Sequence, residues 1–152
     1  MSGKTILFLI AIAAVVYWFI RRLTSTKKHT GTSQDIHMHL QKLIRATDPA
    51  AFLIIEVSET GDFLQFSEHD GVVQMDFPLI TTRQKQREET LATVCSQMGL
   101  TLEKTKGSDG SEFMDYNLTG DASSISSTVQ KVFQQVFDVS GDQALVFKTS
   151  GV

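Results

Sequence analysis

The stretch "AFLIIEVSETGDFLQFSEHDGVVQMDF", Ala51 to Phe77, decides the fold. It opens with a continuous apolar run rich in β-formers, Ala51 to Val57, which reads as a buried strand. "SETGD" is a turn, with Gly61 available for positive φ. "FLQFS", Phe63 to Ser67, is a second strand, and "EHDG", Glu68 to Gly71, a second turn. In "VVQMDF", Val73, Met75 and Phe77 alternate with Gln74 and Asp76, so the third strand has one wet face. Three strands joined by such short turns form an antiparallel meander.

Helical periodicity lies on both sides of it. Ile36, Leu40, Leu43 and Ile44 repeat at i, i+4, i+7, i+8. Thr32 or Ser33 can cap this helix, and "TDP" stops it at Pro49. After Pro78, Leu91, Val94, Cys95 and Met98 mark a second helix closed by Gly99. "LTLEK", Leu100 to Lys104, and "FMDYNL", Phe113 to Leu118, are strands around the turn "KGSDGSE". A final helix carries Ile125, Val129, Val132, Phe133, Val136 and Phe137 and is broken at Gly141. "ALVF", Ala144 to Phe147, is a candidate closing strand. The expected order is α-β-β-β-α-β-β-α(-β). Each helix has one apolar face and needs a sheet to cover it. The fold class is α+β, an antiparallel sheet with helices packed on it, and the short turns favour pairing between sequence neighbours.

The N-terminal part is different in kind. "ILFLIAIAAVVYWFI", Ile6 to Ile20, is apolar throughout and is followed by Arg21 and Arg22. Fifteen residues span about 22 Å as a helix; extension from Thr5 to Leu23, with the arginines snorkelling, approaches a bilayer core of about 30 Å. A cleaved signal peptide would end in small residues rather than Tyr-Trp-Phe-Ile. A buried core helix would not turn abruptly basic at one end. The expectation is a transmembrane anchor over residues 5–23, a flexible linker over 24–33 ("TSTKKHTGTS", with Gly31) and an α+β soluble domain over 34–152. Arg21, Arg22, Lys27 and Lys28 outnumber Lys4 and the amino terminus across the span, which places the C-terminal domain in the cytoplasm.

Composition narrows the function classes. The chain has 152 residues, 41% hydrophobic and 20% charged. Residues 1–32 carry five lysines and arginines and no acid. Residues 33–152 carry the other nine of the 14 bases against all 17 acids, a net of −8. So acidic a domain is a poor partner for nucleic acid. The single cysteine, Cys95, excludes an internal disulfide and reads as a buried hydrophobe.

No residue pattern points to catalysis, a cofactor or a metal. His37 and His39 are two apart on a helix and diverge, whereas zinc needs three or four converging ligands. With His29 in the linker and His69 in a turn, all four read as solvated. Glu88 and Glu89 early in a helix answer its macrodipole. Glu68, His69 and Asp70 fit a polar hairpin tip. "GSDG", Gly107 to Gly110, lacks the following helix that a phosphate loop needs. The apolar surplus is more suggestive: Phe63, Phe66, Phe113 and one face of the first strand exceed what the helices need, and could receive a partner segment or a second copy.

The element order and sizes over residues 36–147, with the "FLIIEVSETGDFLQF" hairpin, resemble the type III secretion chaperone-like fold and its YbjN-like bacterial relatives. The resemblance implies a non-enzymatic protein, often dimeric, that binds partner polypeptides; the anchor departs from that family's free cytosolic habit. The function expected is a membrane-anchored protein-binding module, chaperone-like or adaptor, at the cytoplasmic face of the bacterial inner membrane. The alternative is a structural subunit of a membrane-associated envelope complex.

Overall fold

The computed structural model describes residues 26–152. Seven strands form one antiparallel sheet: β1 (Lys27–Gly31), β2 (Phe52–Val57), β3 (Phe63–His69), β4 (Val72–Pro78), β5 (Leu102–Lys106), β6 (Glu112–Leu118) and β7 (Leu145–Ser150). Three helices complete the fold: α1 (Ile36–Ile44), α2 (Thr82–Gln97) and α3 (Ala122–Val136). The spatial order of strands is β1-β7-β2-β3-β4-β6-β5. The meander β2-β3-β4 is its centre, as its sequence requires.

Alternation sorts the sheet into two faces. Leu53, Ile55, Val57, Leu64, Phe66, Val73, Met75, Phe77, Met114, Tyr116, Leu118, Leu145 and Phe147 are buried on one face. There they form a single core with the apolar stripes of the helices, namely Ile36, Leu40 and Leu43 of α1, Leu91, Val94 and Cys95 of α2, and Ile125, Val129, Val132, Phe133 and Val136 of α3. α3 packs against both α1 and α2. The opposite face of the sheet has no helix on it.

Local chemistry fixes the turns and ends. Asp70 and Gly71 have φ of 53° and 82° and join β3 to β4 as a two-residue turn whose flanking residues, His69 and Val72, pair directly. Those positive φ values match the twist of the strands, which is why Asp-Gly suits the position. Glu68 also holds this turn, accepting from the Gly71 N–H. Thr81 and Gln84 make a reciprocal capping box at the start of α2. That helix ends at Gly99 (φ 77°), where Leu100 N–H donates to Cys95 O at 3.0 Å. Asp62, 2% exposed, takes a bidentate pair of bonds from Arg83 at 2.9 and 2.8 Å and a third from Thr60 at 3.0 Å. This ties the β2–β3 turn to the first turn of α2. Burial acts against the Asp62 charge, but the bonds from Arg83 and Thr60 outweigh it and hold the carboxyl below its usual range.

Five expectations are corrected. Residues 27–31, read as linker, are the edge strand β1, paired with β7 from Lys27↔Thr149 to Gly31↔Leu145. Gly31 there is not a sign of flexibility: a Cβ would lie 2.3 Å from Oδ2 of Asp35, whose carboxylate accepts from Thr32 N–H at 2.9 Å in a second capping box. The last helix ends before Gly141, because Asp138 adopts φ 57° and Val139 N–H turns back to Phe133 O. The strand after Gly99 begins at Leu102, since Gly99 and Leu100 are used to close α2. Pairing is also not purely local. β4 pairs with β6, leaving β5 at the edge, and β7 inserts between β1 and β2. The closing strand runs over Leu145–Ser150, longer than expected, and fills that slot.

Among the described residues, no helix is long and apolar enough to cross a membrane. The anchor expected over 5–23 lies outside the described residues, as do 24 and 25 of the linker.

Candidate functional site on the helix-free face

The open face of the sheet carries Phe52, Ile54, Phe63, Val72 and Phe113, all half-buried between strand neighbours. Phe63 and Phe113 are thus where the sequence places a surplus. Phe66 is not: it is fully buried under the helices. The register adds what the sequence does not show. Gln65↔Asp76, Asp76↔Asp115 and Asp115↔Glu103 are successive cross-strand partners, so three acids lie in one row across β4, β6 and β5. Like charges directly opposite each other destabilise a sheet.

The middle of this row is desolvated. Asp115 is 5% exposed and Asp76 half-buried. Thr105 donates its hydroxyl to Asp115 Oδ2. The inner oxygens, Asp76 Oδ1 and Asp115 Oδ1, have no donor when both groups are ionised. With a proton on Asp76, the two carboxyls bond to each other. Burial first, and the facing Asp115 second, push the Asp76 pKa up to about 7. A positive charge placed beside Asp76 would relieve both effects. A cleft of about 340 Å³ opens beside Asp115, with Thr101, Glu103 and Asn117 on its walls. Asp76 does not line it.

The residues weighed from the sequence fall as follows. Cys95 is buried, and its thiol is pushed up to about 11 by burial, so it is not an activated nucleophile. Glu88 pairs with Lys104, the two side chains linking α2 to β5. Asp109 holds the Gly107–Gly110 turn by accepting from Ser111 N–H at 3.0 Å. His69 and Asp70 are exposed at the hairpin tip. His37 is half-buried, but His39 departs from the solvated reading: it is 5% exposed and stacked on Phe147, ring centroids 4.2 Å apart. Among the described residues, no three His, Cys, Asp or Glu side chains converge as a metal site would need.

Sequence reasoning missed Asp115 altogether and took Asp76 as an ordinary wet-face residue. The available signal was an acid at the centre of each of two strands. Its meaning depends on β4 pairing with β6, which the intervening α2 and β5 conceal. No family model, no curated protein and no solved structure matches the chain.

Proposed function

We propose that the protein is a binding module that holds a partner polypeptide on the helix-free face of its sheet. In this reading the apolar segment 5–23 anchors it, with the domain on the cytoplasmic side of the bacterial inner membrane, as the distribution of Lys and Arg around that segment favours. The observation that carries the reading is the desolvated Asp76–Asp115 pair set among Phe63, Phe113 and Ile54 on a face that no helix covers. The complementary segment has a lysine or arginine flanked by apolar side chains. Its cation replaces the shared proton of the pair, and its apolar flanks cover the phenylalanines. The acidic balance of residues 33–152 favours a basic partner over a second copy of the same domain.

The test is a photo-crosslinker placed on the full chain in its own membranes, at Gln65 or Gln74 on the open face and at Lys131 on α3. The expected result is crosslinking to another polypeptide from the open face alone, competed by a peptide with lysine between leucines and lost in the Asp76→Asn/Asp115→Asn double variant. Equal crosslinking from Lys131, indifference to the double variant, or crosslinks only to a second copy of the chain would overturn it.

A further inference from the structure

The basic residues of the described chain are not spread evenly. Arg83, Arg87, Lys104, Lys106 and Lys148 are each in an ion pair. Lys27, Lys28, Lys42 and Arg45 are in none among the described residues, and all four are exposed. They share one corner of the fold. Lys27, Lys28 and Lys42 border a shallow cleft between β1, β7 and α1, and Arg45 ends α1 three residues beyond Lys42. Met38 lies among them with 40% of its surface exposed. The acids nearest in sequence are engaged locally: Asp35 accepts from Thr32 N–H, and Asp48 from Ala50 N–H at 2.8 Å.

The position of this corner along the chain gives it a partner. β1 starts at Lys27, opposite Thr149, which in turn faces Leu53 near the start of β2. α1 then runs back toward that end: its nine residues rise about 14 Å and return Lys42 to the side of Lys27. The apolar segment read as the anchor ends at Leu23. Only four residues separate Leu23 from Lys27, a reach of at most about 14 Å. Residues 27–31, being β1, add no slack. A domain joined so closely has its Lys27 end at the bilayer, with no long tether on which to swing free.

We propose that this corner rests on the anionic surface of the bilayer that holds segment 5–23, an inference that depends on the anchor reading above. A surface of many headgroups asks for point charges without fixed geometry, which flexible lysines supply. Lys27, Lys28, Lys42 and Arg45 lie over the headgroups, and Met38 meets the boundary with the acyl chains. The rest of the domain is repelled, since residues 33–152 carry a net of −8. Glu68 and Asp70 lie at the same end of the sheet, but at the β3–β4 tip, three strands or about 14 Å from β1. That exceeds the screening length of about 8 Å, so the domain leans on its β1 edge. Strands standing on end leave the helix-free face clear of lipid and open to a partner.

The experiment uses the full chain in vesicles of phosphatidylcholine, alone or with a minority of phosphatidylglycerol. A fluorophore is attached at Thr47→Cys, just beyond Arg45, or at Glu59→Cys, at the opposite end of the sheet; Cys95 is buried and stays unlabelled. A nitroxide on the lipid headgroups quenches whichever label lies near them. Quenching is expected at position 47 and not at 59, stronger with phosphatidylglycerol and weakened by salt. The Lys27→Gln/Lys28→Gln/Lys42→Gln variant should lower the ratio of docked to undocked chain about tenfold or more. Equal quenching at both positions, the same quenching without phosphatidylglycerol, or no change in the triple variant overturns the proposal. Washing the vesicles at high salt and alkaline pH separates two failures. Chain that stays on them without lipid-dependent quenching refutes the docking alone; chain that washes off refutes the anchor and the docking with it.

Discussion

Replacing Asp76 with asparagine should stabilise the protein more at pH 8 than at pH 5. The isosteric amide removes one charge and can donate a hydrogen bond to Asp115 Oδ1, which otherwise lacks a donor. The sign follows from linkage. The folded pKa of Asp76, about 7, lies above its ordinary value of 3.8, so the folded state holds the proton more tightly. The stability this contributes is complete below pH 3.8 and is lost as pH rises through 7. Between pH 5 and pH 7 lie two units, each worth about 1.4 kcal/mol, which bounds the loss near 3 kcal/mol. Partial exposure of Asp76 reduces this to about 1–2 kcal/mol. His39 works in the opposite sense over the same range, because its depressed pKa favours the folded state as pH rises. The difference between variant and wild type cancels the His39 contribution. Urea melts of full-length protein in neutral detergent at pH 5 and 8, read by circular dichroism, measure it. A variant advantage that is absent at pH 8, or equal at both pH values, would refute the shared-proton account.

Two further outcomes test the frame that positions the sites. Asp62→Ala leaves Arg83 without its bidentate partner and releases the β2–β3 turn from α2; a loss of about 2–3 kcal/mol is expected in the same urea melts, less than for a fully buried pair because Arg83 is half exposed. Gly31→Ala drives a methyl group into the Asp35 carboxylate; it should cost about 1–2 kcal/mol, with amide exchange accelerated at β1 and the start of α1 before the rest of the sheet.

How much of this was legible in the sequence depends on the distance over which each feature is decided. The β2-β3-β4 meander was readable because Asp70–Gly71 and Gly61 set its turns within a few residues. The helices were readable from their apolar stripes. β1 was not, since Lys-Lys-His-Thr-Gly has no apolar alternation: an edge strand with exposed side chains gains its stability from backbone bonds to β7, more than a hundred residues away. The Asp76–Asp115 pair was hidden for the same reason, as neither acid signals anything until β6 is known to lie beside β4. His39 shows the opposite failure. One position removed from the apolar stripe of α1, it looked solvated, yet Phe147 and β1 close over it.

The place of β7 in the sheet has a consequence for synthesis. Leu145–Ser150 is translated after every other described strand, yet it lies between β1 and β2, joining the earliest described strand to the meander. While those residues are still inside the ribosomal tunnel, β1 has nothing to zip onto and the flank of β2 stays bare. The emerging chain therefore carries two unfinished strand borders until β7 has left the tunnel. A ribosome stalled before Leu145 would release a product whose borders invite foreign strands, marking it for chaperones or proteases.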